Sequence, residues 1–185
     1  MLFAFIHELG HMVVGIFLKL KPKSLSIMPF GISITFETYG YKKLIEIKKM
    51  IIAIAGPAVN IVIAGIVSFM QIDNDLKETI IYSNILIAIF NLIPLYPLDG
   101  GRILKVLIRF NNSKMKTDSI INKVSNSIII FLTALASIVI LYLKNFSILF
   151  ILVYLWIIVV KENKKYNISK KIYDAIQKNS KCIDN

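Results

Sequence analysis

The sequence predicts an all-α polytopic membrane protein, and three features support that fold class. Apolar residues make up 56% of the 185 residues, and the mean hydropathy of +0.70 exceeds that of ordinary soluble domains. The apolar residues form long stretches that contain few polar residues. The basic residues lie in clusters between these stretches, which is typical of membrane proteins.

Five apolar stretches predict about five transmembrane helices, since a helix needs about 20 residues to cross the hydrocarbon layer. They cover residues 2–18, 50–70, 80–98, 128–143 and 146–160, of which the last is short. The one strand-like stretch, residues 24–37, has β-branched and apolar residues on both sides of Pro29-Phe30-Gly31. This pattern predicts a small β-hairpin or a re-entrant loop after the first helix.

The basic residues predict the orientation of these helices. All of them except Lys77 and Lys144 fall in the first connection, the third connection or the C-terminal tail. Basic connections stay in the cytoplasm, so we expect an external N-terminus, an internal tail and a multi-pass protein of the cell membrane. A chain that starts outside usually has an earlier helix or signal, so an N-terminal helix missing before residue 1 is one explanation of this start.

The same patterns suggest how the chain is divided. We expect a membrane-embedded domain over residues 1–160, with a functional core in about residues 1–110, and a short basic cytoplasmic tail over residues 161–185. The net charge of +11 does not predict a nucleic-acid partner, because the basic residues alternate with apolar runs. Cys182 is the only cysteine, so one chain forms neither a disulfide framework nor a thiolate metal site.

The first apolar stretch contains the motif His7-Glu8-Leu9-Gly10-His11. In a helix, His7 and His11 project from one face and can bind the same metal ion, with Glu8 beside them. Three ionisable residues at membrane depth cost several kcal/mol unless they face a cavity, a partner or a metal. The alternative is a pair of structural histidines. The motif predicts a zinc site with Glu8 as the general base.

A third ligand must come from elsewhere, and no third histidine exists in the chain. Asp99 is the best candidate, because it ends an apolar run that Pro94 and Pro97 interrupt. Non-helical backbone at membrane depth is tolerated mainly where it lines a cavity. The alternative for Asp99 is an interfacial helix cap or an ion-pair partner of Arg102.

Three further residues are candidates for substrate binding. Asn91 and Asn60 are polar residues in apolar stretches that could hold a substrate backbone, although hydrogen bonds between helices are the commoner use of such residues. Phe30 lies in the predicted loop. By helical rise, His11 lies about 12 Å inside Lys19, so we expect the site to be reached from the cytoplasmic side.

The residues His7-Glu8-Leu9-Gly10-His11, Met28-Pro29-Phe30-Gly31, Ala55-Gly56-Pro57-Ala58-Val59-Asn60 and the run from Asn91 to Arg102 resemble the site-2 protease family of M50-like intramembrane zinc metalloproteases. Within that family the resemblance is to the stage IV sporulation protein FB group, and it covers about residues 1–160.

The resemblance implies a three-helix catalytic core that binds one Zn²⁺ through His7, His11 and Asp99, with Glu8 as catalytic base. It also implies regulated cleavage of a membrane-associated protein. In the sporulation group the expected substrate is the pro-form of a sigma factor, and inhibitory membrane partner proteins control access. The segment after residue 160 is too short for the CBS domain that this group often carries, so control by nucleotide does not follow.

Two other function classes fit parts of the pattern. Ionisable residues at membrane depth also mark metal-ion or proton transporters. A catalytically dead regulatory homologue is the other alternative, although all four expected polar residues are present.

Overall fold

The computed structural model describes residues 2–20, 22–28, 31–36, 42–144 and 147–183. Six helices and two strands occur within these residues. In chain order they are α1 (Leu2–Phe17), β1 (Pro22–Met28), β2 (Gly31–Phe36), α2 (Lys42–Phe69), α3 (Asn74–Leu92), α4 (Asp99–Asn111), α5 (Lys114–Leu143) and α6 (Ser147–Ile183).

The contacts divide the chain into two compact units. The first unit contains Met1–Pro94 and Leu98–Phe110, and the second contains Leu95–Pro97 and Asn111–Asn185. The first unit includes every described residue of the predicted site.

In the first unit, α2 packs against both α1 and α3. Small residues allow this close packing: Ala53 on α2 and Ala88 on α3 are almost fully buried. On α1, a Cβ at Gly10 would lie 2.9 Å from Cγ2 of Val59 and 3.2 Å from the carbonyl of Ala55. Helices in apolar surroundings associate mainly through such close contacts, so α1, α2 and α3 form one bundle.

The strand-like stretch forms two strands. β1 and β2 pair antiparallel, with Ser24 opposite Thr35 and Met28 opposite Gly31, and β2 lies beside α1. Residues 29 and 30, which join the strands, lie outside the described residues. The role of Phe30 in substrate binding therefore stays a prediction.

The third apolar stretch, residues 80–98, is helical only as far as Leu92. α3 begins at Asn74, where Asp73 accepts a hydrogen bond from the backbone N–H of Leu76, and ends at Leu92. Proline cannot donate a backbone hydrogen bond and disfavours helical backbone before it, so Pro94 and Pro97 separate α3 from α4. α4, which begins at Asp99, was not predicted from the sequence.

In the second unit, α5 packs against α6 around the buried residues Ile129, Leu155 and Val159. Three asparagines form a closed hydrogen-bonded ring between the two helices. Asn122 donates to Asn163 (2.5 Å), Asn163 to Asn126 (2.8 Å) and Asn126 to Asn122 (3.3 Å). The basic segment after residue 160 is not a separate element, because α6 continues through it to Ile183.

Two of the described helices, over Leu44–Phe69 and Lys114–Tyr142, are long and apolar enough to cross a membrane, and α1 is a shorter apolar helix. Large apolar side chains such as Phe17, Phe69 and Leu141 are exposed on these helices. Soluble monomers rarely expose apolar surface on this scale. The surface suits a lipid environment, and the number of five spans stays a prediction.

Candidate metal centre

His7 and His11 occupy one face of α1, because residues four apart in a helix are neighbours. Both side chains are buried, with exposed fractions of 3% for His7 and 5% for His11. Their rings meet edge to face, and the two Nε2 atoms lie 3.2 Å apart. The local geometry that the motif predicts is therefore present.

Asp99 reaches the same point from the first turn of α4. Its Oδ2 atom lies 3.1 Å from Nε2 of His7 and 3.0 Å from Nε2 of His11, and the residue is 4% exposed. The second oxygen, Oδ1, faces the guanidinium of Arg102 at 3.6 Å. Asp99 thus makes the Arg102 contact that was considered as an alternative and also converges with the two histidines.

The outer nitrogen of each imidazole has a protein partner. Nδ1 of His11 donates to the backbone carbonyl of Ile52 at 2.6 Å, and Nδ1 of His7 lies 2.8 Å from Oδ1 of Asn60. A carbonyl oxygen only accepts hydrogen bonds, so these partners place the proton of each neutral ring on Nδ1. The Nε2 lone pairs then face each other and Asp99.

This donor set fits a metal ion. Two Nε2 lone pairs and a carboxylate oxygen lie within 3.2 Å of one another, and a cation between them offsets their mutual repulsion. Among the described residues, His7, His11 and Asp99 form the one group of three or more possible ligand side chains that meets the distance requirement for a metal. Two histidines and one carboxylate are a common ligand set of catalytic zinc, which keeps a fourth position open.

Gly56 of α2 lies directly against the two imidazoles. A Cβ at this position would lie 2.6 Å from Nε2 of His7 and still closer to the ring of His11. No side chain larger than hydrogen leaves room for both rings in this arrangement. Close packing of Gly56 against the two rings is therefore part of the geometry of this centre.

Glu8 follows His7 on α1 and is half-buried. The charged groups that act on its carboxylate are those of the same cluster: His11, His7, Asp99 and Arg102. A partly open carboxylate beside the three converging ligands can exchange a proton with a reactant that reaches them.

The two asparagines have different positions. Asn60 is fully buried behind His7, and its Nδ2 donates to Oδ1 of Asn84 at 3.0 Å. The geometry does not support the predicted substrate role of Asn60, because protein groups occupy both ends of its amide. Asn91 donates to the carbonyl of Ile87 in its own helix at 3.0 Å, so its substrate role stays a prediction.

Asn84 and the carbonyl of Ile52 were not among the predicted site residues. Asn84 carried a usable signal, because it is a polar residue in an apolar stretch, as Asn60 and Asn91 are. The Ile52 carbonyl carried none, since any residue type supplies a backbone carbonyl.

Comparison with known proteins gives this arrangement a context. Residues 75–136, which include Asp99, match the model of Peptidase family M50. The chain is 32% identical to stage IV sporulation protein FB of Bacillus subtilis over 58% of this chain and 38% of that protein. It is also 32% identical to a zinc metalloprotease of Methanocaldococcus jannaschii over 82% of this chain and 44% of that protein.

A solved structure agrees with these sequence matches. The site-2 protease from Methanocaldococcus jannaschii superimposes with a TM-score of 0.62 and 24% identity, over 84% of this chain and 71% of that one. The chain is homologous to the M50 peptidases and has the site-2 protease fold. The resemblance predicted from the motifs is thereby confirmed. The chain spans less than half the length of the two curated relatives.

The histidines of the cluster lie on an apolar helix. α1 carries its ionisable residues within an apolar stretch. Such residues face a bundle interior or a polar cavity when they lie within a membrane. In this chain they face α2 and the beginning of α4.

Proposed function

We propose that the chain is a zinc metalloendopeptidase that hydrolyses a peptide bond within or beside a membrane-associated segment of its substrate. The observation that carries this proposal is the convergence of Nε2 of His7, Nε2 of His11 and Oδ2 of Asp99 within 3.2 Å. The M50 relationship supports the reaction class. The named zinc metalloprotease among the relatives supports zinc as the metal.

His7, His11 and Asp99 would hold one zinc ion in this mechanism. A zinc ion with three protein ligands supplies Lewis-acid polarisation of the scissile carbonyl and lowers the pKa of a water molecule. The burial of the three ligands excludes bulk solvent from their inner side and keeps their orientation.

Glu8 acts as general base and then as general acid. Its carboxylate takes a proton from the attacking water and later transfers that proton to the leaving amine nitrogen, so the peptide bond breaks without a free hydroxide or an amide anion. The positive charge of Arg102 lies near both Glu8 and Asp99. It partly offsets the repulsion between the two carboxylates.

The proposed substrate is a membrane-associated protein. The likeness to a protein named for sporulation favours a substrate of that process, and the pro-form of a sigma factor is the specific candidate, with inhibitory membrane proteins as regulators. The clusters of basic residues support a multi-pass protein of the cell membrane whose site opens to the cytoplasm.

The test uses the purified protein in liposomes with a membrane-tethered substrate. We expect cleavage that a zinc chelator abolishes and added zinc restores. Glu8→Gln should retain zinc and lose roughly 10²–10⁴-fold in rate, as loss of a general base predicts. Glu78→Gln makes the same chemical change on the exposed surface of α3 and should cleave like the parent protein.

The outcome separates the function classes considered above. Cleavage retained in Glu8→Gln contradicts the mechanism. Zinc flux across the liposome membrane without cleavage indicates a transporter, and zinc binding with neither activity indicates a regulatory homologue. Coexpression with a pro-sigma factor tests the substrate: processing by the parent protein but not by Glu8→Gln supports it, and absence of processing excludes that substrate.

A further inference from the structure

A chain of three hydrogen bonds extends from His7 into the bundle. Nδ1 of His7 lies 2.8 Å from Oδ1 of Asn60, Nδ2 of Asn60 lies 3.0 Å from Oδ1 of Asn84, and Nδ2 of Asn84 lies 2.8 Å from the carbonyl of Ile80. Asn60 and Asn84 are fully buried. The chain joins α1, α2 and α3, and we call Asn60 and Asn84 the amide relay.

The carbonyl of Ile80, at the end away from His7, determines the direction of every hydrogen bond in the amide relay. The carbonyl of Ile80 only accepts, so Asn84 must turn its NH₂ group towards it and its oxygen towards Asn60. Asn60 must then donate to Asn84 and turn its own oxygen towards His7. Flipping either amide would leave two donors or two acceptors facing each other in a buried place, which costs free energy.

The consequence appears at His7. An oxygen facing Nδ1 requires a proton on Nδ1, which leaves the lone pair on Nε2, the atom that faces His11 and Asp99. Metal-binding histidines are held in this tautomer by an acceptor at the other nitrogen. A backbone carbonyl of α3 thus determines the tautomer of a side chain on α1, through two asparagines.

His11 has a different arrangement. Its Nδ1 donates directly to the carbonyl of Ile52, so no side chain intervenes. His7 depends instead on two side chains, one from each of the other helices of the bundle.

We infer that Asn60 and Asn84 are positioning residues that hold His7 as a metal ligand, with Asn84 acting through Asn60. This inference rests on the proposed zinc site. The inference goes beyond that zinc site, because it gives Asn84 a role and makes Asn60 a partner of His7 and not of the substrate. Neither residue touches the reacting atoms.

The experiment measures zinc affinity of the purified full chain by competition with a chelator. Asn60→Leu removes the acceptor and should weaken zinc binding roughly 10–100-fold, the usual effect of losing an outer partner of a ligand. Asn60→Asp keeps an acceptor oxygen towards His7, although its second oxygen then faces Oδ1 of Asn84, and it should bind zinc clearly more tightly than Asn60→Leu. Asn84→Leu leaves the first acceptor in place and should weaken binding by less than Asn60→Leu.

Asn91→Leu is the matched control, because it removes an amide from the same helix as Asn84 but one that bonds within its own helix. Its zinc affinity should equal that of the parent protein. Thermal unfolding of the metal-free proteins shows whether a variant is merely less stable. A purely structural role would make Asn60→Asp and Asn60→Leu lose zinc alike.

The results distinguish this inference from the proposed function. Absence of zinc binding in the parent protein overturns the proposed function. Zinc binding that is equal in the parent protein, Asn60→Leu and Asn84→Leu overturns the amide relay alone. If Asn60→Leu does not fold, the other two variants still test the amide relay. Unchanged zinc affinity in Asn84→Leu together with lost zinc affinity in Asn60→Asp would overturn it.

Discussion

Nε2 of His11 lies 3.0 Å from Oδ2 of Asp99, although 88 residues separate them in the chain. Both groups are buried, and the same oxygen lies 3.1 Å from Nε2 of His7. Because α4 begins at Asp99, the carboxylate enters the cluster where the chain resumes helical structure. One oxygen therefore faces both imidazoles while the other faces Arg102.

This relationship predicts the effect of Asp99→Asn. The substitution keeps the shape of the side chain but removes the negative charge that balances a dication. Zinc binding should weaken by more than the roughly 10–100-fold effect of losing an outer partner, and cleavage should be lost. Metal analysis and chelator competition check this, and parental zinc affinity in Asp99→Asn would exclude Asp99 as a ligand.

Gly56→Ala should disrupt the centre sterically. The added Cβ meets both imidazoles, so the rings or α2 must move, and overpacking of this kind typically costs about 1–3 kcal/mol. We expect loss of zinc affinity and a lower unfolding temperature.

Gly65→Ala is the control for that substitution, since it lies in the same helix and a Cβ there meets nothing within 4 Å. It should leave zinc affinity unchanged and, through higher helix propensity, stabilise by about 0.5–1 kcal/mol. Equal zinc affinity and equal stability in Gly56→Ala and Gly65→Ala would show that contact with the histidines does not explain the loss expected for Gly56→Ala.

Gly10→Ala should weaken the contact between α1 and α2. Its Cβ would approach Cγ2 of Val59 to 2.9 Å, so we expect a loss of stability of about 1–3 kcal/mol. Val59→Ala removes the opposing methyl groups and should restore part of that loss in the double variant. Equilibrium unfolding of the single and double variants measures the coupling between the two positions. Purely additive changes in stability would contradict a direct contact between them.

The asparagine ring of the second unit should contribute to stability. Asn163→Leu breaks two of its three hydrogen bonds, and interhelical bonds in membranes are worth about 0.6–1.7 kcal/mol each. We expect a loss of that order per bond with unchanged zinc affinity. The exposed Asn167, on the same helix, gives the control: Asn167→Leu should unfold like the parent protein.

Local parts of the fold were predictable. Apolar stretches located α1, α2 and α3, and Pro94 and Pro97 indicated the break in the backbone that ends α3 at Leu92. The extension of α3 to Asn74 was missed, because polar residues in its first turns interrupt the apolar pattern. α4 was missed for a similar reason, since it alternates basic and apolar residues and has two glycines directly after Asp99.

The candidate site was predictable only in its local part. The spacing of His7 and His11 determines that their side chains share one helix face, since helical periodicity depends on neighbouring residues alone. Asp99 was chosen among several carboxylates by its sequence context. Asn60 was a candidate for substrate binding, with a hydrogen bond between helices as the commoner alternative, and it bonds to His7 from 53 residues away.

The sequence by itself determined an apolar helical chain, a pair of histidines on one helix with a carboxylate beside them, and a membrane protease resemblance. The tertiary structure alone decided that Gly56 contacts both imidazoles, that Ile52 supplies a carbonyl to His11, and that Asn84 orients Asn60. These contacts depend on how α1, α2 and α3 are rotated and shifted against each other. Packing sets that registration, and no single segment encodes it.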